Sequence, residues 1–384
     1  MEPIVFGFIG AASVIVVALL VLIFFQLFLL FRHKNKEPIL PLVHPKGKES
    51  SSSFRFKAQG KMTLPTVNDR GRVFSFKEAE EVSEGFSNHI GDGTTYLVFK
   101  GILPDGTEVA IKRMRGNLVS VSSEETKFQL QVDLLYRVHH QHIINLIGYC
   151  DESPHRMLFC QYAPNGSLFE MLHGDEIQDE MLTWKQRTRI VMGIAYGLTY
   201  LHHSCNPPII HGELTSVNIM LTEDFAAKIN GLGKVPLLRS SSDFQSGRLS
   251  TNGDPYYDNP PTDQRSLYSR ASDVYSFGVL LLELLTGKVA YSDELGPLAE
   301  WANPYLVDKG NMPGMMDCNL KNVNILEFCA VSEVARLCTQ SDSPSRPLMS
   351  EVLDMLHQII NISVEVAAPI SSPVTLRGLM AAFT

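Results

Sequence analysis

Hydrophobic and polar positions divide this chain into regions with different periods. A largely apolar run without a charged residue fills residues 4 to 31, polar residues without a period follow it, and short β-rich runs begin near residue 73. Further on, apolar residues such as Ile190, Ile194 and Leu198 repeat at the spacing of one helix face. The pattern predicts a membrane span, a linker, a β-rich segment and a helical segment, in that order.

The apolar run at residues 4 to 31 has no charged residue and exceeds the roughly 20 residues that span a bilayer as a helix. A cleaved signal peptide, the alternative, would have a shorter apolar stretch, a preceding positive charge and a small-residue cleavage site. Arg32, Lys34 and Lys36 follow the run and only Glu2 precedes it, so the rest of the chain should be cytoplasmic. We expect a single-pass plasma-membrane protein with residues 1–3 extracytoplasmic and no extracellular domain.

The segment from residue 32 to residue 72 carries a net charge of +7 in a chain whose net charge is −8. It suits a flexible linker that lies against anionic lipid, with a merely solvated flank as the alternative. The acidic remainder gives no indication of a nucleic-acid partner. The six cysteines are scattered without a C-x-x-C pair, which predicts reduced thiols rather than disulfides or zinc ligands.

Turn and helix signals refine the part beyond the linker. The stretch "LPDGTE" between two β-rich runs is typical of a turn between antiparallel strands. Val274, Phe277, Leu281 and Leu285 share a helix face that ends before Gly287. Prolines interrupt the sparsely charged residues 362–384, for which we predict a disordered tail.

Six stretches together identify a known family, and they occur in that family's order. They are "RVFSFKEAEEVSEGFSNHIG", "VAIK", "RVHHQHIINLIGYC", "YAPNGSLFEMLH", "SDVYSFGVLLLELLTG" and "SRPLM". Over residues 73–361 the chain resembles the kinase domain of plant receptor-like protein kinases. The resemblance implies an α+β, two-lobed protein-kinase-like fold, with a β-rich N-lobe and a helical C-lobe, preceded by one transmembrane helix. It also implies nucleotide bound between the lobes and magnesium-assisted phosphoryl transfer to protein hydroxyls.

The resemblance assigns nucleotide contacts to Gly91, Gly93, Val98, Lys112, Cys160 and Tyr162. Tyr96, however, stands where the family has the third glycine of its phosphate loop and brings a bulky ring to the phosphate position. Gln131 stands where a glutamate would pair with Lys112, so that an ion pair becomes at best a neutral hydrogen bond. The family's nucleotide site is therefore altered on two sides of Lys112.

The catalytic loop reads "HGELTSVN" at residues 211 to 218, where the family has His-Arg-Asp-Leu-Lys-x-x-Asn. Asn218 keeps the metal-binding position. Glu213 keeps a carboxylate at the base position, but its extra methylene could displace the group by about 1 Å. Gly212 and Thr215 replace the arginine that would hold a phosphorylated activation loop and the lysine beside the transferring phosphate.

The magnesium loop reads "AKINGLGK" where family members read like "AKISDFGLAK". One alignment deletes the Asp-Phe pair, with Asn230 before the gap and Gly231 after it; the other places Asn230 at the aspartate position. Neither alignment leaves a carboxylate, which a hard cation prefers. Pro261 likewise replaces the glutamate that would pair with Arg346, and no metal site is predicted.

These substitutions predict a membrane-bound pseudokinase that binds and regulates active receptor-like kinases or other membrane signalling proteins. A weak, atypical Ser/Thr kinase is the alternative. No cofactor is assigned, although ATP bound without magnesium, through Lys112 and the hinge at residues 160 to 163, stays open. The polar stretch at residues 239 to 254 is predicted to be a substrate of a partner kinase.

Overall fold

The computed structural model describes residues 71–93, 95–115, 121–174, 181–232, 257 and 269–370. The predicted span at 4–31, nearly all of the linker, the 239–254 stretch and Pro261 lie outside these residues. Within the described part, no helix is both long and apolar enough to cross a membrane.

The first part of the described chain is a six-stranded sheet flanked by two helices. Its strands are β1 (Arg72–Val73), β2 (His89–Asp92), β3 (Tyr96–Ile102), β4 (Glu108–Met114), β5 (Leu146–Glu152) and β6 (His155–Gln161). The helices are α1 (Phe76–Val82) and α2 (Val121–Arg137). Strand order is β1-β5-β6-β4-β3-β2, with β1 parallel to β5 and the other pairs antiparallel.

Local chemistry explains the sheet. The predicted turn joins β3 to β4, with the Leu103 N–H donating to the Thr107 carbonyl at 2.9 Å and Gly106 at φ 85°. That positive φ favours glycine. At the other edge, the Phe74 ring stacks on Phe159 with centroids 4.0 Å apart and closes the core of this lobe. The expected antiparallel β segment is thus confirmed.

The second part is helical, as the periodicity predicted. Its α-helices are α3 (Leu168–His173), α4 (Trp184–Thr199), α5 (Arg270–Thr286), α6 (Leu298–Val307), α7 (Ile325–Cys338), α8 (Met349–Ile359) and α9 (Val364–Ala367). A π-helical turn spans Tyr200–Ser204, and 3-10 turns span Ser216–Asn218, Met312–Met315 and Ser343–Ser345. Short strand pairs are β7 (Ile219–Leu221) with β8 (Ala227–Ile229), and β9 (Tyr291–Ser292) with β10 (Gly296–Pro297).

Helices α4 and α5 form the centre of this lobe, because buried residues of each helix occupy nearly its whole circumference. Helix α4 begins with a capping box in which Thr183 and Gln186 satisfy each other's backbone N–H groups. Helix α5 ends at Gly287, whose φ of 65° makes it a left-handed cap. The stop predicted at Gly287 is therefore confirmed.

The structure differs from the prediction of a disordered tail over residues 362–370. Helix α9 forms there, and the Ala367 side chain is fully buried. The Arg189 guanidinium donates to the carbonyls of Val366 at 2.8 Å and Ala368 at 2.7 Å. One helical turn is too short to show an apolar period in the sequence. The residue that holds it, Arg189, lies far away in the chain. Residues 371–384 of the predicted tail lie outside the described residues.

Candidate functional site

Lys112 lies in the middle of the sheet, paired with Val98 on β3 and Leu158 on β6. Its ammonium Nζ donates to Asn230 Oδ1 at 2.6 Å. One partner of this cation in the cleft is therefore the neutral amide of a residue that follows β8. The contact favours the second alignment, in which Asn230 itself takes the place of the magnesium-binding aspartate.

Asn230 is fixed by its backbone. Its N–H donates to the Asn218 carbonyl at 2.8 Å, and its own carbonyl lies 2.8 Å from His211 Nε2. Gly231 follows at φ 93°, where a Cβ would lie only 3.0 Å from Asn218 Oδ1. The catalytic loop and the magnesium loop thus meet through amide groups, and the glycine is required for their close approach.

Gln131 on α2 does not form the neutral hydrogen bond to Lys112 that the sequence allowed. Its Oε1 accepts from the Tyr96 hydroxyl at 2.5 Å, and its Nε2 donates to the Leu232 carbonyl at 3.3 Å. The same helix is held a second time, because Gln129 Nε2 donates to an Asp151 carboxylate oxygen on β5. The neutral side chain of Gln131 therefore holds α2 in the cleft, and Gln129 holds it to β5.

The phosphate loop folds back on itself. The Gly93 N–H donates to the Tyr96 carbonyl at 2.8 Å, and the Asp92 carboxylate pairs with Arg115 and lies 3.4 Å from His89 Nε2. A loop of this kind binds phosphate through free backbone N–H groups. In this structure the Gly93 N–H is already used within the loop.

The cavity between the two lobes is about 20 Å³ in volume, room for about one water molecule. It is lined by Tyr96, Lys112, Gln131, Leu135, Ile144, Leu146, Leu158, Cys160, Ile229, Asn230, Gly231 and Leu232. Of the predicted nucleotide contacts, Lys112 and Cys160 belong to this lining, whereas Gly91, Gly93, Val98 and Tyr162 do not. The lining does not suit a magnesium nucleotide, because it includes no carboxylate for the metal ion and places amide oxygens beside Lys112.

Asp273 at the start of α5 organises the catalytic loop. Its Oδ2 accepts from the His211 N–H and from His202 Nε2, and its Oδ1 accepts from the Gly212 N–H, each at 2.8 Å. Gly212 lies at φ 76°, and its N–H is a donor that any residue other than proline would also supply, so this contact does not depend on the missing arginine side chain. Sequence reasoning placed Asp273 in a retained motif but could not identify its partners, which are more than 60 residues away in the chain.

The hydrogen bonds from His202, His211 and Gly212 to Asp273 form a frame around this carboxylate. The other predicted catalytic-loop residues lie beside this frame. Asn218 Nδ2 donates to the Glu213 carbonyl at 2.8 Å, and the Thr215 side chain is buried. Among the described residues, no group of three or more His, Cys, Asp or Glu side chains converges as a metal site. Arg346, expected to need compensation for a missing acid, donates to the carbonyls of Gln340, Ser341 and Ala271.

Burial favours the neutral forms of Tyr96, Cys160 and His142. It raises the pKa of the Tyr96 phenol and of the Cys160 thiol, so both keep their protons at cellular pH. Burial also lowers the pKa of His142 to about 4, while His142 Nδ1 lies 2.9 Å from the Ala227 carbonyl. The Tyr96 and Cys160 side chains, which line the cavity together with Lys112, are therefore uncharged.

Residues 85–356 match the family model described as protein tyrosine and serine/threonine kinase. The chain belongs to the protein kinase family. It is 40% identical over 307 residues to Protein MALE DISCOVERER 1 of Arabidopsis thaliana, across 77% of this chain and 41% of that protein. It is 36% identical over 313 residues to Proline-rich receptor-like protein kinase PERK8 of the same organism, across 77% of this chain and 45% of that protein.

The family model and the relative named as a receptor-like protein kinase confirm the predicted resemblance to plant receptor-like kinases, and the observed lobes confirm the two-lobed fold. A further relative, Probable LRR receptor-like serine/threonine-protein kinase At2g28960 of Arabidopsis thaliana, is 33% identical over 303 residues, across 78% of this chain and 34% of that protein. The chain therefore spans less than half the length of the relatives it matches.

Proposed function

We propose that this kinase homologue is a membrane-anchored pseudokinase, which regulates active receptor-like kinases as a scaffold or allosteric partner. The observation that carries the proposal is the 2.6 Å contact between Lys112 Nζ and Asn230 Oδ1. Phosphoryl transfer requires magnesium ions that bridge the phosphates, and a kinase holds them with a carboxylate and an asparagine. Here an amide stands in place of the carboxylate, and its oxygen is bonded to the lysine.

The neighbouring substitutions also weaken the groups that phosphoryl transfer requires. Gln131 cannot form an ion pair with Lys112, and Thr215 supplies no positive charge beside a transferring phosphate. Loss of one preorganised electrostatic group typically slows catalysis by roughly 100- to 1000-fold. Such losses do not add simply, but together they leave little transition-state stabilisation.

The alternative function, a weak Ser/Thr kinase, draws support from three retained positions. Lys112 keeps a cation in the cleft, Asn218 keeps one metal-binding side chain, and Glu213 keeps a carboxylate in the catalytic loop. These groups favour residual activity only where nucleotide and metal can enter. The cavity beside Lys112 has no carboxylate among its lining residues, which argues for the pseudokinase instead.

The proposed partner is an active receptor-like kinase in the same membrane. The apolar run at residues 4 to 31 supplies the proposed anchor, and the basic segment behind it supplies attraction to anionic lipid. The hydroxyl-rich stretch at residues 239 to 254 is the proposed site of phosphorylation by that partner. Regulation then passes through binding and modification rather than through this chain's own catalysis.

The test is phosphate incorporation by the full chain in lipid nanodiscs with radiolabelled ATP and magnesium or manganese. Lys112→Met is the matched control, because it removes the cation that a kinase needs while replacing it with a chain of similar length. We expect equal background label for both proteins, and label within residues 239 to 254 once an active receptor-like kinase is added. Label that the wild type incorporates alone and Lys112→Met does not would establish the weak kinase instead.

A further inference from the structure

We infer that Tyr96 is the residue that excludes nucleotide from the cleft, and that it also latches helix α2 in place without a ligand. The inference deepens the proposed function and rests on it for its biological meaning. It assigns to one side chain two roles, a plug that fills space and a latch that joins three segments.

The plug follows from where the ring lies. The Tyr96 side chain points inward from β3 and is 5% exposed, although the residue follows directly on the phosphate loop. It belongs to a buried cluster with Phe128, Val132 and Leu158. The ring also lines the cavity beside Lys112, which is about 20 Å³ in volume. A triphosphate can enter only after the ring has left.

The latch follows from the hydrogen bonds. The Tyr96 hydroxyl donates to Gln131 Oε1 at 2.5 Å, and Gln131 Nε2 donates to the Leu232 carbonyl at 3.3 Å. This chain joins β3, helix α2 and the segment after Gly231. Each group in it is buried, so breaking the first bond would leave the Gln131 oxygen without a partner.

The two roles make the position of α2 independent of nucleotide binding. In active kinases the corresponding helix is positioned by the lysine–glutamate ion pair, and its position is a point of control. Here a neutral tyrosine–glutamine pair holds the helix while Lys112 contacts Asn230. The surface that α2 presents to a partner should therefore be the same with and without ATP.

The plug is tested by fluorescent ATP analogue binding to the full chain in nanodiscs, with EDTA present so that metal binding plays no part. Tyr96→Gly should bind the analogue at least tenfold more tightly than the wild type, a difference of about 1.4 kcal/mol. Tyr96→Phe, which keeps the ring, should bind as weakly as the wild type. Equal affinity of wild type and Tyr96→Gly, whether tight or absent, would overturn the plug.

The latch is tested by hydrogen exchange in helix α2. Tyr96→Phe removes only the hydroxyl, so exchange of residues 126 to 137 should accelerate while the fluorescence assay still shows a closed cleft. Unchanged exchange in Tyr96→Phe would overturn the latch. Should Tyr96→Gly fail to fold by circular dichroism, Tyr96→Leu replaces it, since leucine keeps apolar packing but leaves the space of the ring's outer half.

Failure of this inference and failure of the proposed function give different results. A wild type that binds the analogue in EDTA as tightly as Tyr96→Gly but incorporates no Lys112-dependent label disproves the plug and leaves the pseudokinase proposal in place. A wild type that incorporates Lys112-dependent label disproves the pseudokinase. Analogue binding gained by Tyr96→Gly without any label supports both.

Discussion

The cleft around Lys112 and the frame around Asp273 are both built from buried polar groups, yet they differ in charge. In the frame, one carboxylate accepts three hydrogen bonds of 2.8 Å each from His202, His211 and Gly212. In the cleft, amides stand at the two positions where the family has acids: Gln131 accepts from the Tyr96 hydroxyl, and Asn230 accepts from the Lys112 ammonium. An acid that the fold needs is present, whereas the acids that would hold magnesium and position the lysine are absent.

A second buried acid supports this contrast. Arg187 Nη2 donates to Asp317 Oδ2 at 2.6 Å, and its Nη1 donates to the Leu284 carbonyl at 2.8 Å. Burial lowers the pKa of this arginine, although Asp317 opposes the shift. Removing either partner would leave an uncompensated charge, which explains why a chain without the metal acids still carries this pair.

The largest effect should come from Asp273→Ala. The substitution leaves the N–H groups of His211 and Gly212 and one His202 ring nitrogen without their acceptor in a buried site. We expect the free energy of unfolding of the kinase-like domain to fall by about 3–5 kcal/mol. Urea denaturation of the full chain measures this change.

Two matched variants sharpen this prediction. Asn230→Ala in the cleft removes one hydrogen bond and should cost only about 1 kcal/mol. Asp354→Ala, at an exposed position on α8, should stay within about 0.5 kcal/mol of the wild type. A cost for Asn230→Ala equal to that of Asp273→Ala would break the contrast between cleft and frame.

An intermediate effect should come from ending the chain after Asn361. This removes the carbonyls of Val366 and Ala368 from Arg189, and the Ile370 N–H, 3.0 Å from Asp224 Oδ2. We expect a loss of about 2 kcal/mol from these hydrogen bonds, measured as a lower Tm.

A chain that ends after Ile370 keeps every one of these contacts and is the control. Arg189→Ala should also cost less in the chain ending at Asn361 than in the full chain, because two of its acceptors are already gone. Additive costs of truncation and substitution would show that Arg189 does not hold the segment.

The smallest effect concerns the pH dependence of stability and the loop between α2 and β5, in which His142 lies. His142 has a folded pKa of about 4 and an ordinary value of 6.5, so the unfolded chain takes up the proton first as pH falls. Its stabilising contribution is full above pH 6.5 and declines toward pH 4. At pH 5.5 the decline should be about 1 kcal/mol relative to pH 7.5.

His142→Asn tests this directly, because its amide can still donate to the Ala227 carbonyl but does not titrate. Its unfolding free energy should depend less on pH than that of the wild type. His140, also with a pKa lowered to about 4 by burial, accounts for part of the remaining slope, while Lys228 and Arg189 add positive charge nearby. If the unfolding free energies of the two proteins depended equally on pH, the assignment of this pH dependence to His142 would be contradicted.

The amino-acid sequence by itself determined the fold class, the lobe order and the chemical types at each motif position. Short-range signals suffice for these features: the "LPDGTE" turn, the helix face that ends at Gly287, and the family's motifs in order. The substitutions at Tyr96, Gln131 and Asn230 were visible for the same reason, since each is read against a local motif.

Tertiary structure alone decided which of these groups meet. The bond from Lys112 to Asn230 joins residues 118 positions apart, and that from Tyr96 to Gln131 joins residues 35 apart. The order of residues 362–370 likewise depends on Arg189, 177 positions from Val366. Local patterns carry no information about such pairs, because the free energy of each depends on burial and geometry that exist only after the chain has packed.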